Sequence, residues 1–147
     1  MWTEFTNVIS VFENRLTGSV PSQIGSITDL KTQLNLYSNQ FTGSIPSELG
    51  RLSVLRANFN LWANNLDGKV PSQLGELTGL TVWFQLQLNE LSQSLPSQLG
   101  RLSALNRKFG LERNSLSQHL PSELGQLTGL TAGFTVGRGN LGNSFTG

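Results

Sequence analysis

The sequence predicts an α/β solenoid, a stack of short coils with a parallel sheet along one side and short helical or 3₁₀ turns along the other. Three observations lead there. The twenty-five residues FTGSIPSELGRLSVLRANFNLWANN, at 41–65, recur in altered form at 16–40, 66–90, 91–115 and 116–140. Every one of these units holds a Pro-Ser pair at the same place. Every one also holds a short stretch in which apolar residues stand two apart, as Leu34 and Leu36 do. A fixed period of roughly 20 to 50 residues marks a repeat architecture, in which each unit buries its apolar face only against its neighbours. Residues 1–15 read as the second half of a unit, because Phe5, Ile9, Val11 and Asn14 fall where Leu30, Leu34, Leu36 and Asn39 fall, and 141–147 begin another. The whole chain, 1–147, is therefore expected to form one solenoid.

Each unit opens on an apolar residue (Leu16, Phe41, Leu66, Leu91, Leu116, Leu141), followed two positions on by Gly18, Gly43 and Gly68 and then by Gln93 and Gln118. A glycine there suits a turn with permissive backbone. Next come Pro21, Pro46, Pro71, Pro96 and Pro121, each followed by serine. Proline fixes its own φ and lacks a donor, so it suits the entry to a helical turn and is excluded from a central strand. Ser22, Ser47, Ser72, Ser97 and Ser122 stand where a cap is wanted, and the turn is expected to end near Gly25, Gly50, Gly75, Gly100 and Gly125.

The second half of the unit carries the strand. Leu34 with Leu36, Phe59 with Leu61, Phe84 with Leu86, Phe109 with Leu111 and Phe134 with Val136 alternate with polar or small residues, the period of a strand with one buried face. Three residues later stands Asn14, Asn39, Asn64, Asn89 or Asn114. A side-chain amide both donates and accepts, so a column of stacked asparagines is expected to satisfy the buried backbone of the turns. Gly139 occupies the sixth place, and the ladder is expected to fray there.

The pattern LxGxIPxxLGxLxxL followed by LxLxxN resembles the plant-specific class of leucine-rich repeats, found in receptor-kinase ectodomains and polygalacturonase-inhibiting proteins. The resemblance covers essentially the whole chain. It implies a right-handed superhelix with a parallel concave sheet, and recognition of proteins or peptides rather than catalysis. It also implies a place outside the cell or at its surface, although the start, MWTEFTNVIS, lacks the order of a signal peptide. Two departures stand out. The family's unit has twenty-four residues, whereas here an extra residue precedes the strand in every copy and phenylalanine replaces the first strand leucine in four. Spacing four would put Leu30, Thr32, Leu34 and Leu36 on one face, which predicts an earlier strand start. Neither end carries a polar or disulfide cap; this reads as a segment of a longer protein, with end-to-end stacking of copies as the alternative.

Composition narrows the function. The formal charge of +1 gives no bulk attraction to nucleic acid or an anionic membrane. No apolar run reaches the roughly 18 residues of a spanning helix. With no cysteine and one histidine, His119, the common metal sites and a cysteine nucleophile are missing, and no phosphate loop or nucleophile motif occurs. No metal, cofactor or catalytic residue is expected. Arg101, Arg107, Lys108 and Arg113 make one unit locally basic and read as a solvated face.

Function must then lie in the side chains that point outward from the concave sheet. Between the buried strand residues stand Asn35, Asn60 and Gln85; the next outward column holds Phe12, Tyr37, Trp62 and Gln87; a third holds Trp83. Strands about 4.8 Å apart would make Phe12, Tyr37 and Trp62 an aromatic ladder beside a strip of amides. Two readings stand at this point. The ladder binds a partner, a protein or peptide or else a carbohydrate, or it only strengthens strand pairing. A structural or self-assembling block, or an adhesive surface such as one for ice, is the alternative from another class.

Overall fold

A computed structural model describes residues 7–137 and 143–146. Phe5, Gly139 and Leu141, invoked above, lie outside the described residues. Along the chain run β1 (Val8–Ser10), β2 (Thr17–Ser19), β3 (Gln33–Asn35), β4 (Gln40–Ser44), β5 (Asn58–Asn60), β6 (Asn65–Asp67) and β7 (Trp83–Gln85). They are followed by β8 (Ser92–Gln93), β9 (Lys108–Gly110), β10 (Ser115–His119), β11 (Gly133–Thr135) and β12 (Ser144–Thr146). Five 3₁₀ turns, at Ser22–Ser26, Ser47–Arg51, Ser72–Glu76, Ser97–Arg101 and Ser122–Gln126, alternate with them.

The odd-numbered strands β1, β3, β5, β7, β9 and β11 form one parallel sheet in chain order. Its register follows the repeat: Ile9 pairs with Leu34, Leu34 with Phe59, Phe59 with Phe84, Phe84 with Phe109 and Phe109 with Phe134. The ladder continues past the assigned strands, with Ser38 N donating to Trp62 O, Ala63 N to Gln87 O and Leu88 N to Glu112 O at 2.9–3.0 Å. The architecture is a right-handed solenoid of the predicted class. Its flank also carries two small parallel sheets, β2-β4-β6 and β8-β10-β12, where the sequence suggested only turns.

One contiguous core runs the length of the stack, from Val20 to Leu127. Phe59, Phe84 and Phe109 are fully buried and stack with centroids 5.5 and 5.1 Å apart; Phe134, 5.2 Å beyond Phe109, is 38% exposed in the last described coil. Phenylalanine in these places fills the coil with rings whose stacking repeats the strand spacing.

The extra residue of each unit does not lengthen the strand. The strands begin one residue after Thr32, Ala57, Val82, Arg107 and Ala132, and the chain bends at each of those five. Thr32, Arg107 and Ala132 are exposed and Ala57 and Val82 half-buried, so none joins the interior row. The carbonyl of Asn7 accepts from both Thr32 N and Gln33 N, and that of Thr32 from both Ala57 N and Asn58 N. In the next two coils a single amide reaches the equivalent carbonyl, Trp83 N to Ala57 O and Lys108 N to Val82 O.

The convex turns correct the expected serine cap. Each turn begins with proline at the cap position in extended backbone (φ −58° to −73°), and no side-chain cap bond forms. Ser47, Ser72 and Ser122 instead donate weakly to the neighbouring Glu48, Gln73 and Glu123. The glycines stand one residue before each turn's end, near it as expected. They lie inside them because the next coil packs against their Cα: a Cβ on Gly25, Gly50, Gly75 or Gly100 would collide with the backbone carbonyl of Glu48, Gln73, Gln98 or Glu123. At Gly125, nothing among the described residues lies within 4 Å of such a Cβ.

The asparagines hold the turns between sheets. Asn64 Nδ2 donates to Leu36 O of the preceding coil and to Leu61 O of its own, both at 3.1 Å, while its Oδ1 accepts from Phe41 N. Asn39, Asn89 and Asn114 repeat the pattern and are buried with it. The side-chain amide of exposed Asn14 donates within its own coil, to Val11 O and Phe12 O. At the C-terminal side, where Gly139 lies outside the described residues, Asn143 takes up the ladder. It accepts from Leu116 N at 2.9 Å and donates to Leu111 O at 2.9 Å. The first of those bonds spans 27 residues where the other asparagines span 23, so the last coil takes four further residues before its turn is pinned.

Two predictions follow from the backbone. Gly75→Ala should cost about 1–3 kcal/mol or more, the penalty of overpacking against a fixed carbonyl, while Gly125→Ala should change stability by less than about 0.5 kcal/mol; chemical denaturation of both variants checks this. Gln93 (φ 69°) and Gln118 (φ 72°) occupy the left-handed backbone that Gly18, Gly43 and Gly68 hold in the earlier coils. Replacing either by glycine should raise stability by up to about 1 kcal/mol, seen as a higher Tm, since left-handed backbone penalises a side chain.

Candidate functional site

Successive residues on the odd-numbered strands alternate between core and concave surface, so burial of the leucine and phenylalanine rows turns their neighbours outward. Phe12, Tyr37 and Trp62 then fall two residues past the ends of β1, β3 and β5, at one level. Their rings stack, with centroids 4.8 Å apart at 10° between Phe12 and Tyr37 and 5.5 Å apart at 25° between Tyr37 and Trp62. Phe12 is 41% exposed, and Tyr37 and Trp62 are half-buried. Trp83, on β7, is 42% exposed and stands outside this stack.

Stacking decides which ring surfaces are open. Both faces of Tyr37 are covered, one by Phe12 and one by Trp62, so the middle of the ladder presents ring edges and the Tyr37 hydroxyl. That hydroxyl donates to Glu13 Oε1 at 3.2 Å. Partial desolvation, together with the bond to the Glu13 carboxylate and its charge, pushes the Tyr37 phenol above its ordinary pKa.

The amides are less open than their outward positions suggest. Asn35 is 9% exposed, Asn60 5% and Gln87 5%, while Gln85 is half-buried. Asn60 Oδ1 accepts from Trp62 N at 3.1 Å, and Asn58 Nδ2 donates to Gln33 Oε1 at 3.1 Å, so part of the strip serves the sheet itself. The accessible candidates are Phe12, Tyr37, Trp62, Trp83 and Gln85; Asn35, Asn60 and Gln87 lie beneath their neighbours. Three side-chain atoms of this face are buried without a hydrogen-bond partner among the described residues: Asn35 Oδ1, Trp62 Nε1 and Gln87 Oε1. Sequence position alone gave no signal of these, since it assigns a side chain to a face but not its rotamer.

Beyond Gln87 the face turns charged. Lys108 Nζ donates to Glu112 Oε1 at 3.1 Å, and Thr135 Oγ1 to Glu112 Oε2 at 2.7 Å. Burial acts to raise the pKa of Glu112, but the hydrogen bonds from Thr135, its own backbone amide and Lys108, with the ammonium charge, outweigh it and hold the carboxyl below its ordinary range. Lys108 thus belongs to a paired network on the concave face. Among the described residues no cluster of three or more His, Cys, Asp or Glu side chains is placed to hold a metal ion, and no helix is long and apolar enough to cross a membrane.

Residues 32–52 match the family model described as Leucine Rich Repeat. No curated protein matches the chain. Solved structures do. The Arabidopsis receptor kinase HAESA, in complex with the peptide hormone IDA and the co-receptor SERK1, is 31% identical over 95% of this chain, with a TM-score of 0.81. The chain spans only 22% of that protein's length. A plant ice-binding protein is 28% identical over 95% of this chain and 43% of its own, with a TM-score of 0.77. The BIR3–SERK2 complex from Arabidopsis thaliana matches at 30% identity over 99% of this chain and 72% of that one, with a TM-score of 0.71. With that coverage, the stacked parallel sheets and the 3₁₀ turns, the chain belongs to the plant-type leucine-rich repeat family.

Proposed function

We propose that the chain is a non-catalytic recognition scaffold that binds a protein or peptide on its concave sheet. The observation that carries this is the row of large aromatic side chains, Phe12, Tyr37, Trp62 and the separate Trp83, left partly or largely open on that face. Exposed aromatics in a polar surround are the usual anchors of recognition surfaces. The similarity to HAESA, crystallised with a peptide hormone, supports a peptide in particular, and the similarity to receptor kinases supports a place outside the cell or at its surface. A carbohydrate fits less well, since sugar rings lie against aromatic faces and those of Tyr37 are already covered.

A second reading, adhesion to a repeating surface such as ice, has the plant ice-binding protein in its favour. Against it, the outward columns are heterogeneous, with aromatic, amide and charged residues at equivalent positions. A flat lattice would call for one residue type repeated along each column.

Trp83 separates a binding role from a structural one. A displayed library of random dodecapeptides, selected on the wild-type chain, supplies the probe. Trp83→Ala should weaken the recovered peptides at least about tenfold, a loss of roughly 1.4 kcal/mol, while changing stability by less than about 0.5 kcal/mol. Tyr37→Ala, which breaks the stack, should lower both. Full affinity in both variants would rule the concave face out.

A further inference from the structure

We infer that the edge of the concave sheet around Trp83 takes an acidic peptide, with an apolar side chain on the indole and a carboxylate on either side of it held by Arg56 and Arg107. This rests on the peptide reading above and goes further, by naming the chemistry of the ligand. Each coil enters the sheet through a short segment: 31–33, 56–58, 81–83, 106–108 and 131–133. These segments hold Lys31, Arg56, Arg107 and Lys108 and no acid. The segments by which the coils leave the sheet, 13–15, 38–40, 63–65, 88–90 and 113–115, set Glu13 and Glu90 against Arg15 and Arg113. With a formal net charge of +1 over the whole chain, the positive edge is a local arrangement. Lys31, Arg56 and Arg107 are exposed, and among the described residues none of the three is in an ion pair. Lys108 is neutralised by Glu112, and Asp29, two residues before Lys31, borders the edge at its first coil.

The segment that ends in Trp83 stands between the two arginines. Thr81 N donates to Arg56 O at 2.6 Å, so Arg56 lies beside Thr81 on the coil before. Trp83 pairs with Lys108, so Arg107 lies beside Val82 on the coil after. Adjacent strands are about 4.8 Å apart, which puts the two arginine backbones roughly 10 Å from each other across the strands. That is the reach of about three residues of extended chain. A ligand residue over Trp83 therefore has neighbours one or two positions away that come to Arg56 on one side and Arg107 on the other. Trp83 is 42% exposed and, unlike Tyr37, has no ring stacked on it among the described residues, which leaves its indole free for an apolar side chain. A guanidinium offers paired N–H donors that match a carboxylate, so Asp or Glu is favoured there over a neutral side chain.

The dodecapeptides selected above on the wild-type chain are the probe. They should carry Asp or Glu within two positions of an apolar residue more often than the unselected library does. Their affinity should fall at least about threefold between about 0.05 M and 0.5 M salt, because exposed charges are screened. Arg56→Ala combined with Arg107→Ala should weaken them by about threefold to tenfold and flatten the salt response, with an unchanged Tm, both side chains being exposed. Arg56→Glu with Arg107→Glu should reject them and bind versions in which each Asp or Glu is replaced by Lys. Arg51→Ala with Lys69→Ala removes the same two charges from exposed positions outside the concave sheet and should bind as the wild type does. Peptides with no acidic enrichment, affinity independent of salt, or equal losses in the edge pair and the control pair would overturn the acidic reading. If Trp83→Ala still weakens binding in that case, the peptide reading stands; failure to recover any binding peptide would overturn both. Enrichment and salt response need only the wild-type chain, so the outcome does not depend on any variant folding.

Discussion

Burying a turn on both sides removes the water that would satisfy its backbone, and the rest of this structure depends on how that is solved. In each interior coil, the segment leaving the concave sheet must reverse while pressed between two neighbours. Its carbonyls and amides need partners that the strand ladder no longer supplies. A single asparagine per coil provides them: Asn64 bonds Leu36 O and Phe41 N, the two sides of the turn before its own. The residue ahead of each asparagine (Glu13, Ser38, Ala63, Leu88, Arg113) accepts left-handed backbone, φ 53–56°, to aim the amide there. The spacing between coils is thus fixed by hydrogen bonds as well as by the core.

Once that spacing is fixed, small residues are required where coils come closest. The convex 3₁₀ turns approach until only a glycine Cα fits against the next carbonyl. Gly125 has no such neighbour among the described residues, and Phe134 at the same end is over a third exposed. The phenylalanine row obeys the same rule, its ring spacing of 5.1–5.5 Å being the strand spacing expressed in side chains. Convex turn, core and sheet are three readings of one axial repeat.

That repeat was legible in the sequence because it is one-dimensional: identical spacing implies identical environment, and Leu34, Phe59, Phe84 and Phe109 had to share a row. Features set by contacts between coils were not. The glycines read as helix ends, whereas their cause is a carbonyl in the next unit, some twenty-three residues away in sequence. The extra residue looked like strand, since alternation favours Thr32 as an inward position, but the carbonyls offered by the preceding coil turn it into a bend. Asn143 was missed because it stands four places off the period; only its bonds to Leu116 N and Leu111 O place it in the ladder. On the concave face, the columns gave each side chain its direction, but not that Asn35, Asn60 and Gln87 would be covered by the residues beside them.

The concave face follows from the same geometry. Side chains on neighbouring strands stand closer than two unstacked rings allow, so aromatics at successive positions must stack, and Phe12, Tyr37 and Trp62 do. Stacking stabilises the sheet and at the same time withdraws the ring faces from any partner, leaving edges and polar tips. Selection for pairing alone would favour carrying this ladder onward, yet at the next strand it gives way to Gln87, and after that to Glu112 bound by Lys108 and Thr135. The change from aromatic to amide to charge along one column costs regularity that the core, asparagine and glycine columns keep. A surface that departs from the repeat while everything beneath it obeys is one whose side chains answer to something other than the stack, and the unpaired atoms of Trp62 and Gln87 lie where the ladder ends.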